Sequence, residues 1–89
     1  MKTDKPKKID EAVDFLFRIL SDGDKFTIQH CSIEHIQTYN NCMLGKFIRE
    51  YFEISSGNNK ELINSFQVSD PMEISNAIIK MLWVKIHNI

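Results

Sequence analysis

The chain has 89 residues, of which 43% are apolar and 26% are charged. A chain of this length forms one small domain, which excludes a second independent core, and its apolar content excludes intrinsic disorder. The formal net charge of −1 provides no overall attraction for the phosphate backbone of a nucleic acid.

The basic residues are concentrated at the N-terminus. Residues 1–8 carry four of the 11 basic side chains and one of the 12 acidic ones, so residues 9–89 carry a net charge of −4. We expect residues 1–8 to form a basic flexible tail and residues 9–89 to form a single acidic domain. No apolar segment of a secretory signal follows the tail, and no apolar run reaches the ~20 residues that span a bilayer. We therefore expect a cytoplasmic protein without a membrane segment.

The first predicted helix covers residues 9–20. Asp10 stands where an N-cap is needed. The apolar residues that follow have the spacing of one helical face: Val13, Leu16, Phe17 and Leu20.

A turn is predicted at residues 21–24, which combine serine, aspartate and glycine. Asp24 can cap a short second helix that runs to about His30. We expect this helix to turn Phe26 and Ile28 inward.

A long third helix is predicted over residues 33–53, with Ser32 as its cap and a bend near residue 40, where the sequence forms helices weakly. Its apolar positions keep a helical period: Ile36, Met43, Leu44, Phe47, Ile48, Tyr51 and Phe52.

The clearest break in the sequence is at residues 55–59, where Ser, Gly and Asn favour a chain reversal. A short helix is predicted over residues 60–66, capped by Asn58 or Asn59.

The strongest local signal starts the last helix. Asp70 supplies a capping carboxylate, Pro71 stands at the first helical position and Glu73 at the third. This helix has a wide apolar surface and is expected to be nearly central, with one face formed by Ile74, Ile78, Met81, Leu82 and Lys85. Because no segment alternates with period two, we predict an all-α fold, a compact irregular bundle of four to five helices.

Short motifs run through nearly the whole chain: Ile9 to Val13, Leu44 to Arg49, Ser56 to Asn58, Asp70-Pro71, Ser75 and Leu82-Trp83. They resemble a family of small all-helical bacterial domains of unknown function. In that family a helix that begins Asp-Glu-Ala precedes a Leu-Gly-x-x-Ile-Arg helix, a Gly-Asn turn and a last helix with Asp-Pro, Ser and Leu-Trp. This sequence departs from the pattern at residues 52–55, where an aromatic or leucine-rich stretch is usual. The resemblance implies a helical fold and brings no activity.

Soft metal ligands occur in one cluster, which contains Cys31, His35 and Cys42 with His30 beside them. The two cysteines lack the close spacing of a zinc site, and no third group orients a Cys/His nucleophile. We expect reduced cysteines, no metal and no cofactor.

Acidic residues concentrate on and after the first helix, where Arg18 is the only opposing charge: Asp10, Glu11, Asp14, Asp22 and Asp24. One interpretation is a solvated helix face with caps. The other is an acidic patch that docks a basic partner. The candidate docking residues are Glu11, Asp14, Asp22 and Asp24.

Three further residues are assigned structural roles. Arg49 lies in the most apolar helix and can bridge helices by binding carbonyl groups or the carboxylate of Asp70. Gly45 in the same helix suggests that the last helix passes close to its backbone. Trp83 is expected to anchor the core.

No glycine-rich phosphate loop, metal constellation or activated nucleophile is present in the sequence, so we predict a protein that is not an enzyme. The favoured function is a protein-binding module, an immunity protein or inhibitor that blocks a toxin or enzyme partner. One alternative is a self-associating scaffold or regulatory module. Another is a weak nucleic-acid binder that uses the basic tail of residues 1–8. A DNA-recognition helix is not predicted in the segment 24–36, because it has too few side chains that can hydrogen-bond to base edges. Tyr51 and Phe52 are further candidates for partner binding. Self-association would use Tyr39, Tyr51, Phe52 and Met72.

Overall fold

The computed structural model describes residues 6–35, 38, 43–68 and 70–88. The regular structure of these residues is entirely helical, so the all-α prediction is confirmed. Their Cα radius of gyration is 12.4 Å, close to the about 12 Å expected of a compact domain of this length. The elements are α1 (Ile9–Ile19), α2 (Asp22–Gln29), a 3₁₀ helix (Ile33–His35), α3 (Met43–Tyr51), α4 (Lys60–Asn64) and α5 (Pro71–His87).

Helix α5 is central, because α1, α2 and α3 all pack against it. Its apolar residues cover a wide arc, as expected of a helix that is buried on several sides. Met81 is 42% exposed, however, so its predicted place on the buried face is wrong: the packed helices leave its side chain open to solvent. The side chains that α5 buries are Ile74, Ser75, Ile78, Ile79, Leu82 and Ile86.

Two of the predicted helix caps are confirmed. Asp70 Oδ1 accepts a hydrogen bond from the backbone N–H of Met72 at 3.3 Å, with Pro71 at the first position of α5. Asn59 Oδ1 accepts from the backbone N–H of Leu62 at 3.3 Å and caps α4.

The predicted cap of α1 is wrong. The helix begins at Ile9, and Lys8 stands at the N-cap position without a side-chain hydrogen bond. Asp10 is therefore inside the first turn, where its carboxylate still interacts favourably with the helix dipole. Glu11 Oε1 accepts from the backbone N–H of Lys7 at 3.3 Å.

The prediction for α2 also needs correction. Its cap is Ser21, which has an extended backbone and whose Oγ accepts from the N–H of Asp24 at 3.1 Å. Asp24 is thus within the helix. Ile28 is buried as predicted, but Phe26 is 62% exposed. Its ring packs against the ring of His30, with 4.1 Å between the two centroids.

The long helix predicted over 33–53 differs from the structure at both ends. The segment Ile33–His35 forms a 3₁₀ turn and not an α-helix, and α3 ends at Tyr51. Met43, predicted to be inward, is 86% exposed. The stretch with the predicted bend, including Tyr39 and Cys42, lies outside the described residues.

The C-terminus of α3 is closed by a Schellman motif. The N–H of Ile54 donates to the carbonyl of Arg49 at 2.9 Å, and the N–H of Glu53 donates to that of Glu50 at 3.1 Å. Glu53 has φ 57°, the left-handed conformation that glycine adopts most readily. Ile54 is buried directly after it. Burial of Ile54 holds the chain reversal in place although Glu53, and not glycine, occupies the left-handed position.

Replacing Glu53 by glycine should raise the free energy of unfolding by about 0.5–1 kcal/mol, because the left-handed backbone no longer crowds a Cβ atom. Glu50→Gly is the matched control. It should lower the free energy of unfolding by about 1 kcal/mol, because Glu50 is within α3 and glycine is unfavourable inside a helix. Urea unfolding monitored by circular dichroism measures both. Destabilisation by Glu53→Gly would contradict the strain argument.

The end of the predicted flexible tail is attached to the domain. Asn59 Nδ2 donates to the carbonyl of Pro6 at 2.8 Å, and Lys7 Nζ lies 3.4 Å from Glu61 Oε1. The tail predicted over residues 1–8 therefore does not extend to residue 8 as a free segment. Residues 1–5 lie outside the described part of the chain.

Candidate functional site

The acidic residues of α1 border a groove between α1 and α5. Glu11 and Asp14 line it together with Phe17, Arg18 and Lys85, and its volume is about 410 Å³. Asp14 Oδ1 and Lys85 Nζ form an ion pair at 3.0 Å, with side chains 57% and 41% exposed. The groove therefore has both acidic and basic groups within it.

A second groove lies on the other side of this ion pair. Asp14 and Lys85 line it too, and its remaining wall consists of Asp10, Val13, Met81 and Val84. Met81 and Val84 are 42% and 46% exposed. We call the exposed and half-buried side chains that border the two grooves the α1–α5 surface: Asp10, Glu11, Asp14, Phe17, Arg18, Met81, Val84 and Lys85.

The fold adds basic groups that the sequence pattern did not place here. Lys85 Nζ reaches Asp14, and Lys25 Nζ lies 4.0 Å from the centroid of the Phe17 ring. Lys85 Nζ is 5.3 Å from the same centroid. Arg18 is thus not the only opposing charge near the acidic residues. Only helix packing brings Lys85 to α1, because the two are far apart in sequence.

The structure divides the predicted acidic patch. Glu11 and Asp14 share a groove, whereas Asp22 and Asp24 are exposed in the first turn of α2. Asp24 lines a different groove, of about 380 Å³, with Leu20, Thr27, Ile28, Met43 and Leu44. At a helix N-terminus the charges of Asp22 and Asp24 are also favourable for α2 itself.

The aromatic candidates are less accessible than predicted. Phe52 is fully buried and cannot contact a partner, because the chain turns inward there after α3. Tyr51 is half-buried and stacks between Phe15 and Phe47, with centroid distances of 5.0 and 5.3 Å. Met72 is 40% exposed.

The residues with predicted structural roles lie at helix contacts. Arg49 Nη1 donates to Ser75 Oγ at 3.0 Å, which links α3 to α5 through a hydroxyl group. Gly45 is buried in α3, the helix that packs on α5. Trp83 is half-buried, and its Nε1–H donates to the carbonyl of Cys31 at 2.7 Å.

No group of three His, Cys, Asp or Glu side chains is arranged to hold a metal ion among the described residues. Cys31 is a half-buried free thiol, and His35 Nδ1 lies 3.0 Å from Ser32 Oγ. Cys42 is outside the described residues. None of the helices in the described ranges is long and apolar enough to cross a membrane.

The comparisons with known proteins identify a domain family but no individual relative. No curated protein and no solved structure matches the chain. A family model described as Domain of unknown function (DUF6794) matches residues 5–86. Because the match covers nearly the whole chain and includes all five described α-helices except the last residue of α5, the protein belongs to this family of domains of unknown function.

Proposed function

We propose that this protein is a non-catalytic protein-binding module that binds a basic partner through the α1–α5 surface. The observation that carries the proposal is the placement of exposed Met81 and Val84 beside the carboxylates of Asp10 and Asp14. Apolar side chains bordered by charged ones are the usual arrangement of a protein interface.

The charges of this surface favour a basic partner. Asp10, Glu11 and Asp14 contribute three carboxylates, and Lys85 is already paired with one of them. Two carboxylates thus remain on the exposed side of α1 against Arg18, with Lys25 beyond it on the Phe17 ring, so the negative charge of this surface is concentrated at Asp10 and Glu11. Such a surface accelerates encounter with a basic protein and disfavours acidic partners.

Within this class, an immunity protein or another inhibitor is the specific function we propose. A toxin that attacks nucleic acid needs a basic working face, which an acidic cover blocks directly. A small cytoplasmic protein without catalytic groups can act by such occlusion. The nucleic-acid alternative is less favoured, since Lys7 of the basic arm pairs with Glu61.

Reversing the charges of Glu11 and Asp14 to lysine should slow partner association by about tenfold at low salt, with a smaller change in dissociation. The difference should nearly vanish at about 1 M salt, where the Debye length is about 3 Å. The partner is first captured from an extract of the source cell with the parent protein as bait. Association rates are then measured by surface plasmon resonance.

The matched control reverses Glu34 and Glu73, which are exposed and lie outside the α1–α5 surface. It changes the net charge by the same amount and should leave the association rate near that of the parent. Circular dichroism checks that both variants keep their helices, since the exposed Asp14–Lys85 pair contributes at most about 1 kcal/mol. Equal association rates for the parent and the Glu11/Asp14 variant would rule out the α1–α5 surface as the binding site of the partner.

A further inference from the structure

Three aromatic rings form a stack across α1 and α3 that ends at the protein surface. Phe15 stacks on Tyr51 with an interplanar angle of 13°, and Tyr51 stacks on Phe47 with an angle of 10°. Phe47 is 38% exposed, and Tyr51 is the only ring that it contacts within the described ranges. With this exposure, Phe47 can contact a further apolar group.

Exposed apolar side chains extend this open end on both helices. Met43, one turn before Phe47 on α3, is 86% exposed, and Ile19, one turn after Phe15 on α1, is 49% exposed. We call Ile19, Met43 and Phe47 the α1–α3 face. Neighbouring exposed apolar side chains of this kind are typical of interaction sites.

The charges beside this face differ from those of the α1–α5 surface. Lys46 and Glu50 are exposed on α3, one turn apart, and their charges cancel. Asp24 adds a carboxylate beside Met43, so attraction between two copies comes from pairing Lys46 with Glu50 and not from an absence of charge. In an antiparallel pair of α3 helices related by a two-fold axis, Lys46 of each copy comes opposite Glu50 of the other.

We propose that the α1–α3 face binds a second copy of this chain. The two α3 helices pack antiparallel, with Met43 and Phe47 in the contact and two Lys46–Glu50 ion pairs between copies. The α1–α5 surface stays free in this dimer, because Phe15 faces α3 while Asp14 faces α5 across α1.

The dimer should be weak and dependent on concentration. Helix α3 has nine residues and is about 13 Å long, which is short for an interface of the standard size, about 800 Å² per partner. We expect dissociation constants in the micromolar to submillimolar range, about 10 µM to 1 mM.

Sedimentation equilibrium of the full chain from about 10 µM to about 1 mM tests the proposal. The parent should shift from monomer to dimer over this range, and Met43→Glu should weaken dimerisation by about tenfold or more. Phe26→Glu is the control, since Phe26 is an apolar residue, 62% exposed, that lies outside the α1–α3 face; it should dimerise like the parent. A monomeric parent at the highest concentration overturns the proposal, as does an equal effect of the two variants.

A charge exchange tests the antiparallel arrangement. Lys46→Glu and Glu50→Lys should each weaken dimerisation, because like charges then meet between the copies. The double variant should recover most of the parent's affinity, because the pairs re-form with their signs exchanged. Met43, Lys46 and Glu50 are all exposed on α3, so circular dichroism of these variants should show the same helix content as the parent. A double variant weaker than either single one would contradict the arrangement.

Discussion

Replacing Phe52 by alanine is expected to lower the free energy of unfolding by about 3–5 kcal/mol. The side chain is fully buried, and its ring meets Phe15 and Tyr51 edge to face at 5.8 and 5.6 Å. Its removal leaves a cavity beside the aromatic stack, in addition to the lost transfer free energy. This is a large part of the total stability of a domain of this size, about 4–13 kcal/mol.

Phe47→Ala is the matched control for this prediction, since the same side chain is removed from an exposed position on α3. With 38% of Phe47 exposed and one stacking contact, a loss of about 1 kcal/mol is expected. Urea unfolding followed by circular dichroism gives both values. Similar losses for the two variants would mean that Phe52 is not part of the core.

Asn59→Ala is expected to lower the free energy of unfolding by about 2–4 kcal/mol, although the residue lies in a loop. Asn59 is 8% exposed and its side chain serves three backbone groups. Nδ2 donates to the carbonyls of Pro6 at 2.8 Å and Phe52 at 3.0 Å, and Oδ1 accepts from the N–H of Leu62. Alanine leaves all three without their partner and removes one of the two contacts that attach the N-terminal segment to the domain.

Two further variants identify the cause of this loss. Asn58→Ala changes an exposed neighbour and should alter the stability by no more than about 0.5 kcal/mol. Asn59→Asp keeps the acceptor for Leu62 but places an oxygen opposite two carbonyl oxygens, so it should be clearly destabilising. If Asn59→Asp were as stable as the parent, the cap of α4 alone would explain the role of Asn59. Thermal and urea unfolding measure the series.

Local sequence signals predicted the helix starts and the reversal where one short segment holds all the necessary groups. Asp70 and Pro71 begin α5 because a carboxylate and a fixed φ are sufficient to start a helix. The reversal before Asn59 follows in the same way from Gly57, which has φ 77°. The same local signals predicted the wrong caps for α1 and α2. Several polar residues stand near each of these helix starts, and the backbone conformation decides which residue takes the N-cap position.

Helical periodicity predicted an apolar face but not how deeply each residue on it is buried. Phe26 and Met43 fit the pattern and are exposed, whereas Phe52 was proposed as a contact residue and is buried. Burial depends on which helices cover a position, and the pattern of one helix carries no information about its neighbours. The same holds for the α1–α5 surface: the sequence singled out Glu11 and Asp14 but did not place Met81 and Val84 beside them.

The sequence by itself determined the helical class, the central last helix and the acidic character of α1. These properties depend on composition and on contacts within a few residues. Only the tertiary structure decided that Lys85 pairs with Asp14, that Asn59 holds Pro6, and that Arg49 binds Ser75. Each of these contacts joins segments far apart in the chain, and their geometry arises only when helix packing brings the two side chains within hydrogen-bonding distance.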